Sequence, residues 1–166
     1  MAKRFVLIRH AKSSWANPLQ SDFERPLNDR GQSDAPMMGK RLKDAGIIPD
    51  RILASTAKRA SQTAKHIAKG IGYSPDLIEW HEEFYHCVPS VFEEAIYAVD
   101  DALETIFIVA HNPGITDFAA SLDTSKTVHH MPTCATVGFR VDTDRWSDFS
   151  KAQKTLFLND TPKTQS

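Results

Sequence analysis

The chain has 166 residues, 41% apolar and 25% charged, a composition that supports one folded domain with a real core and excludes wholesale disorder. Lysine and arginine total 20 against 21 acids, and the net charge of −1 argues against a broad basic surface for nucleic acid while allowing a small basic pocket. The two cysteines, Cys87 and Cys134, have no metal-ligand spacing, so neither a disulfide framework nor a zinc site is expected and a reducing cytoplasm fits best.

Phe5-Val6-Leu7-Ile8 is a continuous apolar run and reads as a strand buried on both faces. It is too short for the core of a signal peptide, and nothing in the chain approaches the roughly 18 apolar residues of a membrane span. The expected address is cytoplasmic, with no membrane partner. Ser13 to Pro26 reads as a long loop. Asn28 or Asp29 is placed to cap a helix with Met37, Met38, Leu42 and Ala45 at helical spacing, closed by Gly46. Pro36 is expected in an irregular first turn, because proline deep in a helix removes a hydrogen bond.

Arg51 to Ala54 predicts a second strand, after which Ser55 or Thr56 caps a helix from Ala57 to Ile71, ended by Gly70 and Gly72. A short strand over Asp76 to Trp80 follows, then a helix over Ser90 to Val99 with Val91, Ala95 and Val99 inward. Thr105 to Ala110 is the clearest buried strand, and Pro113 starts a helix through Leu122. Val137 to Val141 and Thr155 to Leu158 alternate like antiparallel strands on a sheet edge. The expected fold is α/β: a three-layer α/β/α sandwich with a mostly parallel sheet of five or six strands and an antiparallel edge strand. One domain covers 1–158, and a polar tail from Asn159 (159–166) is expected to fray.

In open α/β sheets, ligands bind beyond the carboxyl ends of the strands. The first strand ends in Arg9-His10. The second leads into a helix whose first turn holds Arg59, and the strand at Thr105 to Ala110 ends in His111-Asn112. Two histidines and two arginines thus converge on one rim, which suits phosphate. Arginine presents a fork of donors matching phosphate oxygens and keeps its charge. A helix start adds free N–H groups and a favourable dipole around Arg59. A neutral histidine carries a lone pair and can act as nucleophile, and neighbouring arginines keep it neutral. Its other ring nitrogen should be pinned by an acceptor such as a backbone carbonyl. The tandem His129-His130 lacks further ligands nearby, so no metal is expected there.

Leu7-Ile8-Arg9-His10-Ala11 resembles the Arg-His-Gly signature of the histidine phosphatase superfamily, which includes the phosphoglycerate mutases and acid phosphatases. Ser55 to Ala64 resembles its second signature, Ser-x-x-x-Arg-Ala-x-x-Thr-Ala, and Val109-Ala110-His111 its late Val-x-His segment. The finer likeness is to the phosphohistidine phosphatase SixA group. It is carried by Arg9 to Trp15, Arg25 to Gly31 and Asp34-Ala35-Pro36, and the likeness runs from Phe5 to about Phe139. Two departures are Ala11 in place of glycine, and Ala16 where mutases carry asparagine.

The resemblance implies a phosphoglycerate mutase-like fold and no metal or organic cofactor. His10 would be phosphorylated in the intermediate, with Arg9, Arg59 and His111 holding the phosphoryl oxygens. Mutases take a general acid from a glutamate after the third strand. Glu83 is the nearest analogue here, with Glu82 and Asp22 behind it. About 35 residues lie between Tyr73 and Phe107, little material for a lid. An open pocket suits phosphohistidine on a partner protein, or a small phosphoester. A small-molecule phosphomonoesterase, a phosphomutase and a non-catalytic phosphate-binding module are the rival readings.

Overall fold

The first apolar run forms β1 (Lys3–Arg9) at the heart of a six-stranded sheet. The structure is a computed structural model and describes residues 2–163. The other strands are β2 (Arg51–Ser55), β3 (Glu79–His81), β4 (Thr105–Ala110), β5 (Thr136–Val141) and β6 (Lys154–Asp160). Their order is β3-β2-β4-β1-β5-β6. β1, β2, β3 and β4 run parallel, while β5 pairs antiparallel with both β1 and β6. The antiparallel portion is therefore two strands wide, and of its two strands β6 lies at the sheet edge, opposite β3 at the other.

Alternate residues of a strand point to opposite faces, and here each face meets its own helix layer. Val6, Ile8, Ile52, Ala54, Phe107 and Val109 face α1 (Asp29–Asp44) and α2 (Lys58–Ile71), burying against Met38, Leu42, Ala64 and Ile67. Phe5, Leu7, Leu53, Ile106 and Ile108 face α3 (Pro89–Tyr97) and α4 (Gly114–Leu122), burying against Phe92, Ile96, Phe118 and Ala119. The result is a three-layer α/β/α sandwich of phosphoglycerate mutase-like architecture. Gly39 lets α1 and α2 approach closely, since a Cβ there would lie 2.9 Å from the Ile67 carbonyl oxygen.

Several local expectations need correction. Asn28 does cap α1, its side chain accepting the Gly31 N–H, but Pro36 sits well inside that helix. The helix tolerates it because the carbonyl left without a donor belongs to exposed Gln32, where water can reach it. Neither Ser55 nor Thr56 caps α2: β2 runs on through Ser55, and Ala57 takes the N-cap position with no side-chain bond. In α3, Phe92 and Ile96 fill the core, while Val91 and Ala95 are only partly buried. A 3₁₀ turn at Pro75–Leu77 precedes the short β3. β6 continues to Asp160, where Arg41 clasps the Asp160 carboxylate and the carbonyls of Thr161 and Pro162; residues 164–166 lie outside the described part. Among the described residues, no helix is long and apolar enough to cross a membrane.

Candidate active site

β1 and β4 are parallel neighbours with Arg9 opposite Ala110, so the residues following each strand emerge side by side. The chain leaves β1 towards the α1 layer and β4 towards the α4 layer, opening a crevice between them at the carboxyl rim. His10 stands in that crevice, its N–H donating to the Ala110 carbonyl at 3.0 Å and its own carbonyl accepting the Cys134 N–H at 3.0 Å. The Ala11 N–H donates to Thr63 Oγ1 at 2.9 Å, and that hydroxyl donates to the Arg59 carbonyl at 2.7 Å. One side chain thus ties the segment after β1 to the turn of α2 that carries Arg59.

Nδ1 of His10 lies 2.8 Å from the carbonyl oxygen of Ala11. A carbonyl only accepts, so Nδ1 carries the proton and Nε2 keeps the lone pair. The nearest donor to that lone pair is Arg59 Nε, at 3.4 Å. Burial is the chief cause that pushes the His10 pKa down to about 3; the hydrogen bond to the Ala11 carbonyl opposes it, and the charges of Arg59, Arg9 and Arg25 each lower it further. His10 is a neutral ring with its free nitrogen among cations.

His111, 5.2 Å away between ring centroids, is held by a 2.8 Å hydrogen bond between its Nε2 and Ser55 Oγ. Ser55 Oγ also accepts the Ala57 N–H, and its hydroxyl hydrogen can donate to Nε2. His111 then carries its proton on Nδ1, a buried atom without a protein partner among the described residues. Burial above all, with the neighbouring His10 ring and the Arg59 charge, lowers its pKa to about 2. It is therefore a neutral donor.

A hollow of about 330 Å³ gathers Arg9, His10, Arg59 and His111, the four residues expected there. Arg9 is anchored through Nη1 to the Met131 carbonyl at 3.2 Å and leaves its Nε buried and without a protein partner among the described residues. The loop after β1 adds groups that sequence reasoning left open. It is pinned by the Ser13–Leu27 bridge, the Ser14 N–H to the Pro26 carbonyl, and the Leu27 N–H to Gln62 Oε1. It thereby delivers buried Arg25 to the hollow, with Nη1 donating to Ser13 Oγ at 2.6 Å. It also delivers Asp22, which accepts from Arg25 (3.0 Å), Arg59 (3.0 Å) and the Tyr85 hydroxyl (2.5 Å). On the far rim His86 Nε2 stands 3.3 Å from the same carboxylate.

Glu83 is not brought to this hollow. Its carboxylate pairs with His81 Nδ1 at 3.1 Å and is more than half exposed, and Glu82 is exposed beside it. Asp22, the third carboxylate considered, is the one lining the hollow among the described residues. The segment carrying Tyr85 and His86 is held over His111 by a close approach, since a Cβ on Gly114 would meet the Cys87 carbonyl oxygen at 2.3 Å. His129 and His130 are exposed, and among the described residues no three or more His, Cys, Asp or Glu side chains cluster to hold a metal ion.

The fold and this constellation define an α/β protein with a histidine-centred hollow lined by arginines at the switch point of its sheet. The family model of the histidine phosphatase superfamily (branch 1) matches residues 5–87, half of the chain, and the chain belongs to that superfamily. A Mycobacterium leprae relative, itself uncharacterised, is 33% identical over 72% of this chain and 73% of its own length. An uncharacterised chloroplastic protein of Arabidopsis thaliana is 29% identical over 74% of this chain, and the match spans only 60% of that longer protein. Among solved structures, a candidate phosphohistidine phosphatase SixA from Nakamurella multipartitia superposes with a TM-score of 0.86 at 23% identity, covering 99% of this chain and 98% of its own. The protein histidine phosphatase SixA complexed with tungstate gives 0.81 at 20% identity, covering 96% and 97%. These two likenesses establish the fold.

Proposed function

We propose that the chain is a phosphatase that hydrolyses a phosphomonoester or phosphohistidine through a covalent phosphohistidine on His10. The observation that carries this reading is the His10 ring: Nδ1 committed to the Ala11 carbonyl, Nε2 free and neutral, facing a hollow lined by Arg9, Arg25 and Arg59. In the first step the Nε2 lone pair attacks phosphorus in line with the leaving group. The guanidinium groups of Arg9 and Arg59, with His111 Nδ1–H, hold the three equatorial oxygens as charge redistributes over them. Water then attacks the phosphohistidine and releases phosphate.

The preferred substrate in this reading is phosphohistidine on a partner protein. Two features support it. Between β3 and β4 the chain gives the hollow only the short rim segment of Tyr85 and His86 and is otherwise spent on core-filling α3, among the described residues. The two neighbouring structures reported above carry the SixA name, and the second holds tungstate, a phosphate-like anion.

The test is incubation with a labelled phosphodonor followed by chemical trapping. Wild-type protein should yield an acid-labile, base-stable phosphoprotein, and His10→Ala none. Persistence of that label in His10→Ala would end the nucleophile assignment. Hydrolysis of a histidine-phosphorylated protein should exceed that of small phosphomonoesters in kcat/KM; the reverse order would assign a small-molecule phosphatase instead.

A further inference from the structure

Resting on the phosphohistidine reading, we propose that Asp22 is the counter-ion a phosphoryl group displaces and the acid that then protonates the leaving atom. The geometry behind this is the shared guanidinium of Arg59. Its Nε faces His10 Nε2 at 3.4 Å, and its Nη2 holds Asp22 Oδ2 at 3.0 Å. Nucleophile and carboxylate therefore sit on two edges of one planar fork. A phosphoryl group bound to that fork lies against both.

Every group that faces Asp22 is a donor or a cation. Arg25 comes from its own loop, Arg59 from α2, and Tyr85 and His86 from the segment after β3. Burial pulls the Asp22 carboxyl up, but the hydrogen bonds from Tyr85, Arg25 and Arg59 outweigh it and hold the group well below the usual carboxylate range. A phosphoryl group that engages Arg59 and Arg25 takes two of those partners and sets further negative charge beside the carboxylate. Both changes favour the protonated acid. The side chain is 40% exposed, which gives it a route to a solvent proton.

The step balances. The His10 lone pair forms the N–P bond, and the bond from phosphorus to the leaving oxygen or nitrogen breaks with its electron pair on that atom. The leaving atom takes the proton from Asp22, which becomes carboxylate. In the second half, water forms an O–P bond and gives its proton to Asp22, and the N–P pair returns to His10 Nε2. Phosphate leaves, and Asp22 is again an acid able to relax onto its arginines by releasing a proton to solvent.

The experiment is a leaving-group series, from p-nitrophenyl phosphate to an alkyl phosphate, read as kcat/KM for wild type and Asp22→Asn. The variant should lose about 100-fold on the alkyl ester, the range of general-acid contributions, and about threefold on the nitrophenyl ester, whose leaving group needs no proton. Equal loss on both esters, or none on the alkyl ester, overturns the proposal and leaves Asp22 as a clamp for its arginines. Trapping on p-nitrophenyl phosphate is run in parallel. Absence of a wild-type phosphohistidine would overturn the underlying reading, whereas a trapped intermediate in both proteins without a leaving-group split overturns Asp22 alone.

Discussion

Arg59 Nε approaches His10 Nε2 to 3.4 Å, a cationic donor aimed at the lone pair assigned to attack phosphorus. The contact is long for a hydrogen bond, and its consequence is electrostatic. A guanidinium at that place disfavours protonation of the ring and marks where phosphoryl oxygens would be met by charge.

Arg59→Lys should therefore be far from conservative. Lysine supplies a point charge and cannot serve His10 and Asp22 from one planar fork. Loss of the charged hydrogen bonds of the fork, about 1.5–3 kcal/mol, corresponds to about one to two decades in kcat/KM. Steady-state kinetics on p-nitrophenyl phosphate checks it, and a loss below about threefold would remove Arg59 from the phosphoryl site.

The His10 ring should not titrate in the ordinary histidine range. With its pKa pushed down to about 3, chiefly by burial, it stays neutral with Nδ1 protonated across the ordinary histidine range. Nitrogen-15 NMR of the imidazole should show the Nδ1–H form unchanged between about pH 8 and pH 5, the interval in which a free histidine protonates. A midpoint near 6.5 would contradict the buried, cation-flanked environment.

The same depression predicts the direction of acid sensitivity. Unfolded histidines bind protons near 6.5, whereas folded His10 and His111 wait until about 3 and about 2. Between those limits the unfolded chain holds more protons, so stability falls as pH falls below 6.5, and above it the two rings contribute no slope. Denaturant midpoints should decline from about pH 6.5 to about pH 5, before the carboxylates take part, and His10→Asn should show a shallower decline. An unchanged slope in the variant would count against the pKa depression.

Ser55 orients His111 through its hydroxyl. Ser55→Ala removes the Nε2 partner at 2.8 Å and frees the ring to take either neutral tautomer. A hydrogen bond of this kind contributes about 1–1.5 kcal/mol, so kcat/KM should drop about tenfold, with the NMR tautomer of His111 turning mixed. Kinetics unchanged beside a single retained tautomer would show that Ser55 is dispensable.

Gly114→Ala probes how the far rim is held. Its Cβ would meet the Cys87 carbonyl oxygen at 2.3 Å, a contact relieved by moving the start of α4 or the segment that carries Tyr85 and His86. The expected cost is about 1–3 kcal/mol of stability, read from denaturant unfolding. A variant as stable as wild type would show that the segment shifts freely.

Much of this molecule is written in local sequence. Phe5 to Ile8 and Ile106 to Ala110 are apolar without interruption because both faces of a central parallel strand are covered by helices, so their ends can be placed by inspection. Since parallel strands present their carboxyl ends on one rim, Arg9, His10 and His111 follow from strand ends alone, and Arg59 from the helix start after β2. The carboxylate was a different matter. The resemblance puts Glu83 ahead of Glu82 and Asp22, and only the fold turns Glu83 to His81 and brings Asp22 to Arg59. Arg25, Tyr85 and His86 likewise reach the hollow from irregular segments, where no periodicity records which way a side chain points. Pro36 and Ser55 mislead for the same reason, their roles being set by exposed Gln32 and by a histidine 56 residues away. Local pattern determines where backbone hydrogen bonding begins and stops; which distant groups then share a charge is decided by packing, because electrostatic partners are neighbours in space and leave no trace in spacing.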